Sequence, residues 1–172
     1  MQKNFSCLLK IDELNQQQYK FVLKPDADEL ADITEILQVE GVKDFVGEIF
    51  LKLNKKEHIL RVWGKVSAKV LLKSVISLED FWKEIQAPFE LIYDTKATYK
   101  DIHEMEQGIN DEVPDIIENG VLNLADICLE QIALNLEDYP RAQGEEFHFT
   151  DYSEQKTSEK ENPFAVLGKL KK

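Results

Sequence analysis

Cysteine is nearly missing from this chain: only Cys7 and Cys128 occur in 172 residues. No C-x-x-C spacing exists, which excludes a zinc knuckle or a thioredoxin-type site. The two thiols can pair only if folding brings their Cα atoms within about 7 Å, so free thiols in a reducing cytosol are expected. Histidine is equally scarce. His58, His103 and His148 lie 45 residues apart, so no two form a metal pair on one element. Ser74 has no glycine elbow beside it, and no nucleophilic triad is visible. No apolar run approaches about 18 residues, and the start lacks the apolar core of a signal peptide. A soluble, cytoplasmic chain is the expectation.

Carboxylates, by contrast, abound. The net charge is −12, concentrated in one stretch. Residues 1–99 carry a net −2, residues 100–162 a net −13, and the last ten a net +3. The acidic stretch repels a phosphate backbone and argues against broad non-specific nucleic-acid binding. A local basic face within residues 1–99 stays open. Adjacent acids such as Asp28-Glu29, Asp111-Glu112 and Glu145-Glu146 read as solvated pairs. Nothing in the pattern points to an enzyme, a cofactor, a metal or a small-molecule substrate. A chain of this length can bury roughly 70% of its unfolded surface and needs no staple.

Periodicity predicts an α+β fold. Phe5–Leu9 and Tyr19–Leu23 read as short strands, the second stopped by Pro25. Asp26 and Glu29 predict a capped helix with Ala27, Leu30, Ala31, Thr34 and Leu37 on one stripe and Gly41 as its stop. From Phe45 to Leu53 alternate residues are apolar. Asn54–Glu57 reads as a turn, Ile59–Trp63 as a strand, and Gly64 as a bulge or bend. Lys65, Ser67, Lys69, Leu71 and Lys73 fall on one strand face, with Val66, Ala68, Val70, Leu72 and Ser74 on the other. Phe81–Tyr93 is a further strand, with Pro88 marking an edge or bulge. The result is a curved antiparallel sheet or a small barrel-like β domain, flanked by two main helices.

Residues 94–120 are acidic and irregular. Asn123 then caps a helix whose stripe is Ala125, Cys128, Leu129, Ile132, Ala133 and Leu136 and whose end precedes Tyr139-Pro140. Residues 1–147 are expected to form one domain, 148–161 a polar linker, and 162–172 a short helix with Asn162 as cap and Pro163 at its first position.

The order of these pieces resembles the YceD family, the large ribosomal RNA subunit accumulation proteins. Gly64–Glu79 looks like the family's central strand pair, and Leu122-Asn-Leu-Ala-Asp126 like the start of its helix. Tyr139-Pro140-Arg141 with Gly144, then Asn162-Pro163-Phe164 with Leu167, resemble the ending of alphaproteobacterial members. Two features depart from the family. Ser74 stands where many members have cysteine, and the late cysteine cluster of many members is missing. The resemblance implies a bacterial ribosome biogenesis factor that supports accumulation of large-subunit rRNA. Its partner would be that rRNA or its precursor, or a basic ribosomal protein. The alternative is an acidic protein-interaction adaptor unrelated to rRNA.

Lys65, Lys69 and Lys73, extended by Lys52 and Arg61 on neighbouring strands, are the candidate RNA-binding residues; an ordinary solvated sheet face is the competing reading. The stripe holds no interleaved aromatic, so base stacking is not expected of it. Pro140, Arg141 and Gly144 are expected to build a turn, with Arg141 in a salt bridge. Asn162, Pro163, Phe164 and Leu167 form a candidate interaction motif. Trp63, Phe81 and Trp82 fit either a core or a partner patch.

Overall fold

The computed structural model describes residues 5–97 and 115–146. Strand β1 (Leu8–Lys10) leads through a short 3-10 turn to β2 (Gln18–Leu23) and helix α1 (Ala27–Leu37). Three long strands follow: β3 (Gly41–Asn54), β4 (Ile59–Lys73) and β5 (Asp80–Asp94). After them come β6 (Asp115–Ile116), β7 (Val121–Asn123) and helix α2 (Leu124–Leu134). The main sheet has the order β2-β3-β4-β5-β6, antiparallel except for the short parallel β5–β6 pairing. It is open, not closed into a barrel. β1 and β7 form a separate antiparallel pair. The protein is therefore α+β, with both described helices contacting the sheet and each other.

The core lies on one face of the sheet. Ile49 and Leu51 of β3 meet Leu60, Val62, Val66 and Val70 of β4, all fully buried. Strand parity alone does not give this arrangement, because Val42 and Phe45 are both buried although three residues apart. A bulge between Lys43 and Val46 resets the phase, with Asp44 at φ 54° absorbing the extra residue. Gly64, expected at a bulge, instead sits in unbroken register between Ile49 and Phe89. A Cβ there would stand 2.0 Å from the Glu48 carbonyl oxygen, so the residue permits close approach of two backbones. Pro88 lies opposite Lys65 on β5, which β6 covers only at Tyr93 and Asp94, so it occupies an edge as expected.

Helix α1 has the expected capping box. Asp26 Oδ1 accepts from the Asp28 and Glu29 N–H groups, and Glu29 Oε2 accepts from the Asp26 N–H. Its stop is Gln38 in the left-handed region, not Gly41, which already belongs to β3. Its anchor is the fully buried Ile33, while Ala27 and Ala31 face solvent. Helix α2 is anchored more deeply, through Leu124, Ala125, Ile127, Cys128, Leu129 and Ile132. Ala133 is exposed, and the helix ends at Leu134, ahead of the Tyr139-Pro140 boundary. Asn123 caps it and also accepts from the Cys7 N–H at 2.9 Å, joining β1 to the start of α2. Gly47 lets α2 approach the sheet, since a Cβ there would lie 2.6 Å from Cys128 Sγ. Both cysteines are free. Burial and the nearby Cys7 push the Cys128 thiol up to about 12, which leaves it inert.

Candidate nucleic-acid interface

Opposite the core, the outer sheet face collects all five candidate cations. Lys65, Lys69 and Lys73 project from β4 beside Arg61, and Lys52 stands across from Arg61 on β3. The same register also supplies carboxylates. Glu48 lies opposite Lys65, Glu84 opposite Lys69, and Asp80 opposite Lys73. Arg61 Nε pairs with Glu90 at 3.4 Å, and Lys69 Nζ with Asp44 at 2.8 Å. The hydrogen bond and charge of Lys69 hold the Asp44 carboxyl below its ordinary range, and Asp44 raises Lys69 in turn. Among the described residues, Lys52, Lys65 and Lys73 make no ion pair. The stripe is thus a cationic strand between β3, whose outer face is of mixed charge, and β5, whose outer face carries the carboxylates Asp80, Glu84 and Glu90, and within the stripe only those three lysines offer an uncommitted charge.

Aromatic residues do interleave with these cations, contrary to the expectation from the stripe alone. Phe50 and Trp63 face each other across β3 and β4, stacked with ring centroids 5.9 Å apart and planes at 17°. Lys20 Nζ sits 5.2 Å from the Phe50 centroid. Further along, Lys43 Nζ lies 3.7 Å from the ring centroid of Trp82, a residue that is 45% exposed. Phe81 points to the other face and packs on the core. A cleft of about 780 Å³ opens beside the stack, lined by Trp63, Arg61, Lys52, Glu90, Gln18 and Asn54 among others.

The Pro140 to Glu145 turn forms at a different place. Pro140 O accepts from the Val75 N–H at 2.9 Å, and Gly144 takes φ 87°. Glu145 accepts from the Ala142 N–H and from the Ser74 hydroxyl. Arg141 is exposed and makes no ion pair among the described residues. The segment docks through backbone and carboxylate groups. Asn162, Pro163, Phe164 and Leu167, with residues 148–161, lie outside the described residues, as do His103, His148 and about half of the acidic stretch. Among the described residues no cluster of three His, Cys, Asp or Glu side chains is placed to hold a metal ion, and no helix is long and apolar enough to cross a membrane.

The molecule is thus an open α+β sheet with a cationic strand and a ring stack on its outer face and a docked Pro-Arg-x-x-Gly turn. The family model described as large ribosomal RNA subunit accumulation protein YceD matches residues 62–171, more than half of the sequence, and the chain belongs to the YceD family. The match starts inside β4 and includes β5, α2 and the Pro140 turn. No curated protein and no solved structure matches. The family description ties the chain to accumulation of large-subunit rRNA.

Proposed function

We propose that this protein is a non-catalytic ribosome biogenesis factor of the bacterial cytoplasm that binds large-subunit rRNA or its precursor through the outer face of its sheet. The observation that carries this reading is the coincidence, on one face that no described helix covers, of Lys52, Lys65 and Lys73 with the Phe50–Trp63 stack. Cations without a committed partner supply phosphate contacts, and rings supply stacking. Residues 100–162 carry a net −13, which disfavours non-specific binding of a polyanion.

The test is binding of large-subunit rRNA fragments by a variant carrying Lys52→Glu, Lys65→Glu and Lys73→Glu. A control of equal charge reverses Lys10, Lys24 and Lys55. The reading predicts loss of binding in the first variant and retention in the control. Equal binding by both overturns it. Loss of a basic ribosomal protein from the complex, with RNA affinity unchanged, assigns the face to a protein partner instead.

A further inference from the structure

We propose that the cleft beside Trp63 receives an unpaired base of single-stranded RNA, stacked on the indole face that Phe50 leaves free. This deepens the RNA-binding reading above and rests on it. Four side chains lie in register across four strands: Lys20, Phe50, Trp63 and Glu90. Phe50 and Trp63 form the stack, and Lys20 Nζ approaches Phe50 from the β2 side. On the β5 side the next residue is Glu90, a carboxylate held beside Arg61 at 3.4 Å. No third ring continues the stack among the described residues. Trp63 lines the cleft together with Glu90 and, among the described residues, stacks on no ring but Phe50.

The cleft suits such a guest. Its volume of about 780 Å³ lies in the ordinary range for small-ligand sites, about 300–1,000 Å³. Gln16, Gln18 and Asn54 bring amide groups that both donate and accept, as base edges require. Lys52 is free to meet a phosphate, and Arg61 needs only to turn from an exposed partner.

Charge decides the class of nucleic acid. The lining carries two cations, Lys52 and Arg61, and two carboxylates, Glu57 and Glu90. Long-range attraction for phosphate is therefore close to cancelled within the cleft. A duplex, which presents phosphates outward and keeps its bases stacked on each other, gains little here. An unpaired base gains the stacking contact and needs few phosphates.

The test uses the full chain with Trp82→Phe, which leaves Trp63 as the only tryptophan. The probe is a single-stranded RNA of about four nucleotides, the smallest site that a comparable single-strand-binding surface covers, and longer single-stranded and duplex forms of one sequence. Single-stranded RNA is expected to quench Trp63 emission, and duplex RNA to leave it unchanged. Trp63→Ala should weaken single-strand binding by about tenfold or more, with Trp63→Phe retaining most of it. For the short RNA, the slope of log affinity against log salt should be no steeper than about −1.4, since the cleft lining offers two cations, Lys52 and Arg61, at roughly −0.7 each. Unchanged Trp63 emission at saturating single-stranded RNA overturns the site while leaving the broader RNA reading intact. Absence of any RNA binding by the wild-type chain overturns both.

Discussion

Ser74 and Glu145, 71 residues apart, meet at the turn that closes β4, where the Ser74 hydroxyl donates to the Glu145 carboxylate. Ser74 is only 1% exposed, and its Oγ also accepts from the Ile76 and Ser77 N–H groups. This one hydroxyl therefore shapes the β4–β5 turn and fastens the segment after α2 to it. The contact explains how Pro140 and Gly144 come to lie beside the central strands. It also gives Ser74 a structural use that requires no cysteine.

The hydroxyls of Ser74 and Ser77 and the Ala142 N–H hold the Glu145 carboxyl below its ordinary range. A lowered folded value means that the contact contributes fully above the ordinary carboxylate range. Its contribution is lost as pH falls through the lowered value. The Val75 N–H, bonded to Pro140 O, reports on it. Its exchange protection factor should be high at neutral pH and fall in acid, and Ser74→Ala should lower it at neutral pH. Protection that is the same in both proteins would refute this coupling.

Asn123 is expected to matter more than Asp26, although both cap helices. Asp26→Ala removes an exposed capping box and should cost about 1 kcal/mol. Asn123→Ala also strands the Cys7 N–H and should cost about 2 kcal/mol or more. Urea unfolding of the two variants gives the comparison.

Close packing at Gly47 can be tested by rescue. Gly47→Ala places a Cβ against Cys128 Sγ and should destabilise by about 1–3 kcal/mol. Adding Cys128→Ala removes the obstructing sulfur and should recover part of that loss, a coupling a double-mutant cycle measures. Additive costs would place the strain elsewhere. Gly64→Ala has no such rescue, because its obstacle is the Glu48 backbone.

In alkali the core thiol becomes a liability. The Cys128 value rises from 9.0 to about 12 on folding, so its contribution is complete below pH 9.0 and declines from there to about 12. Tyr93, raised from 10.0 to about 12 chiefly by burial, adds to the same decline. Cys128→Ala should flatten the loss of stability between pH 9 and 11 relative to wild type. An unaltered slope would remove Cys128 from the explanation.

Much of the architecture was legible in local signals. The Asp26–Glu29 box, the Asn54 turn, the Lys65–Lys73 alternation and the Asn123 cap all act within a few residues, and the α+β class follows from them. What escaped needed a partner strand or a second conformational choice. Gln38 in the left-handed region ends α1 where glycine was expected. The Asp44 bulge resets β3 without any glycine or proline to mark it. The outer face shows the same limit. Phe50 shares strand parity with Lys52, and Trp63 with Arg61 and Lys65, so both rings were already on the cationic side. Only register makes them a stack, and only register sets Glu48, Glu84 and Asp80 against the lysines.

The most direct test of the account is the ratio of large- to small-subunit rRNA in source cells depleted of the protein and then supplied with either wild type or the Lys52→Glu, Lys65→Glu, Lys73→Glu variant. The account predicts that depletion lowers the ratio, that wild type restores it, and that the variant does not. A ratio that depletion leaves unchanged, or that the variant restores in full, would contradict it.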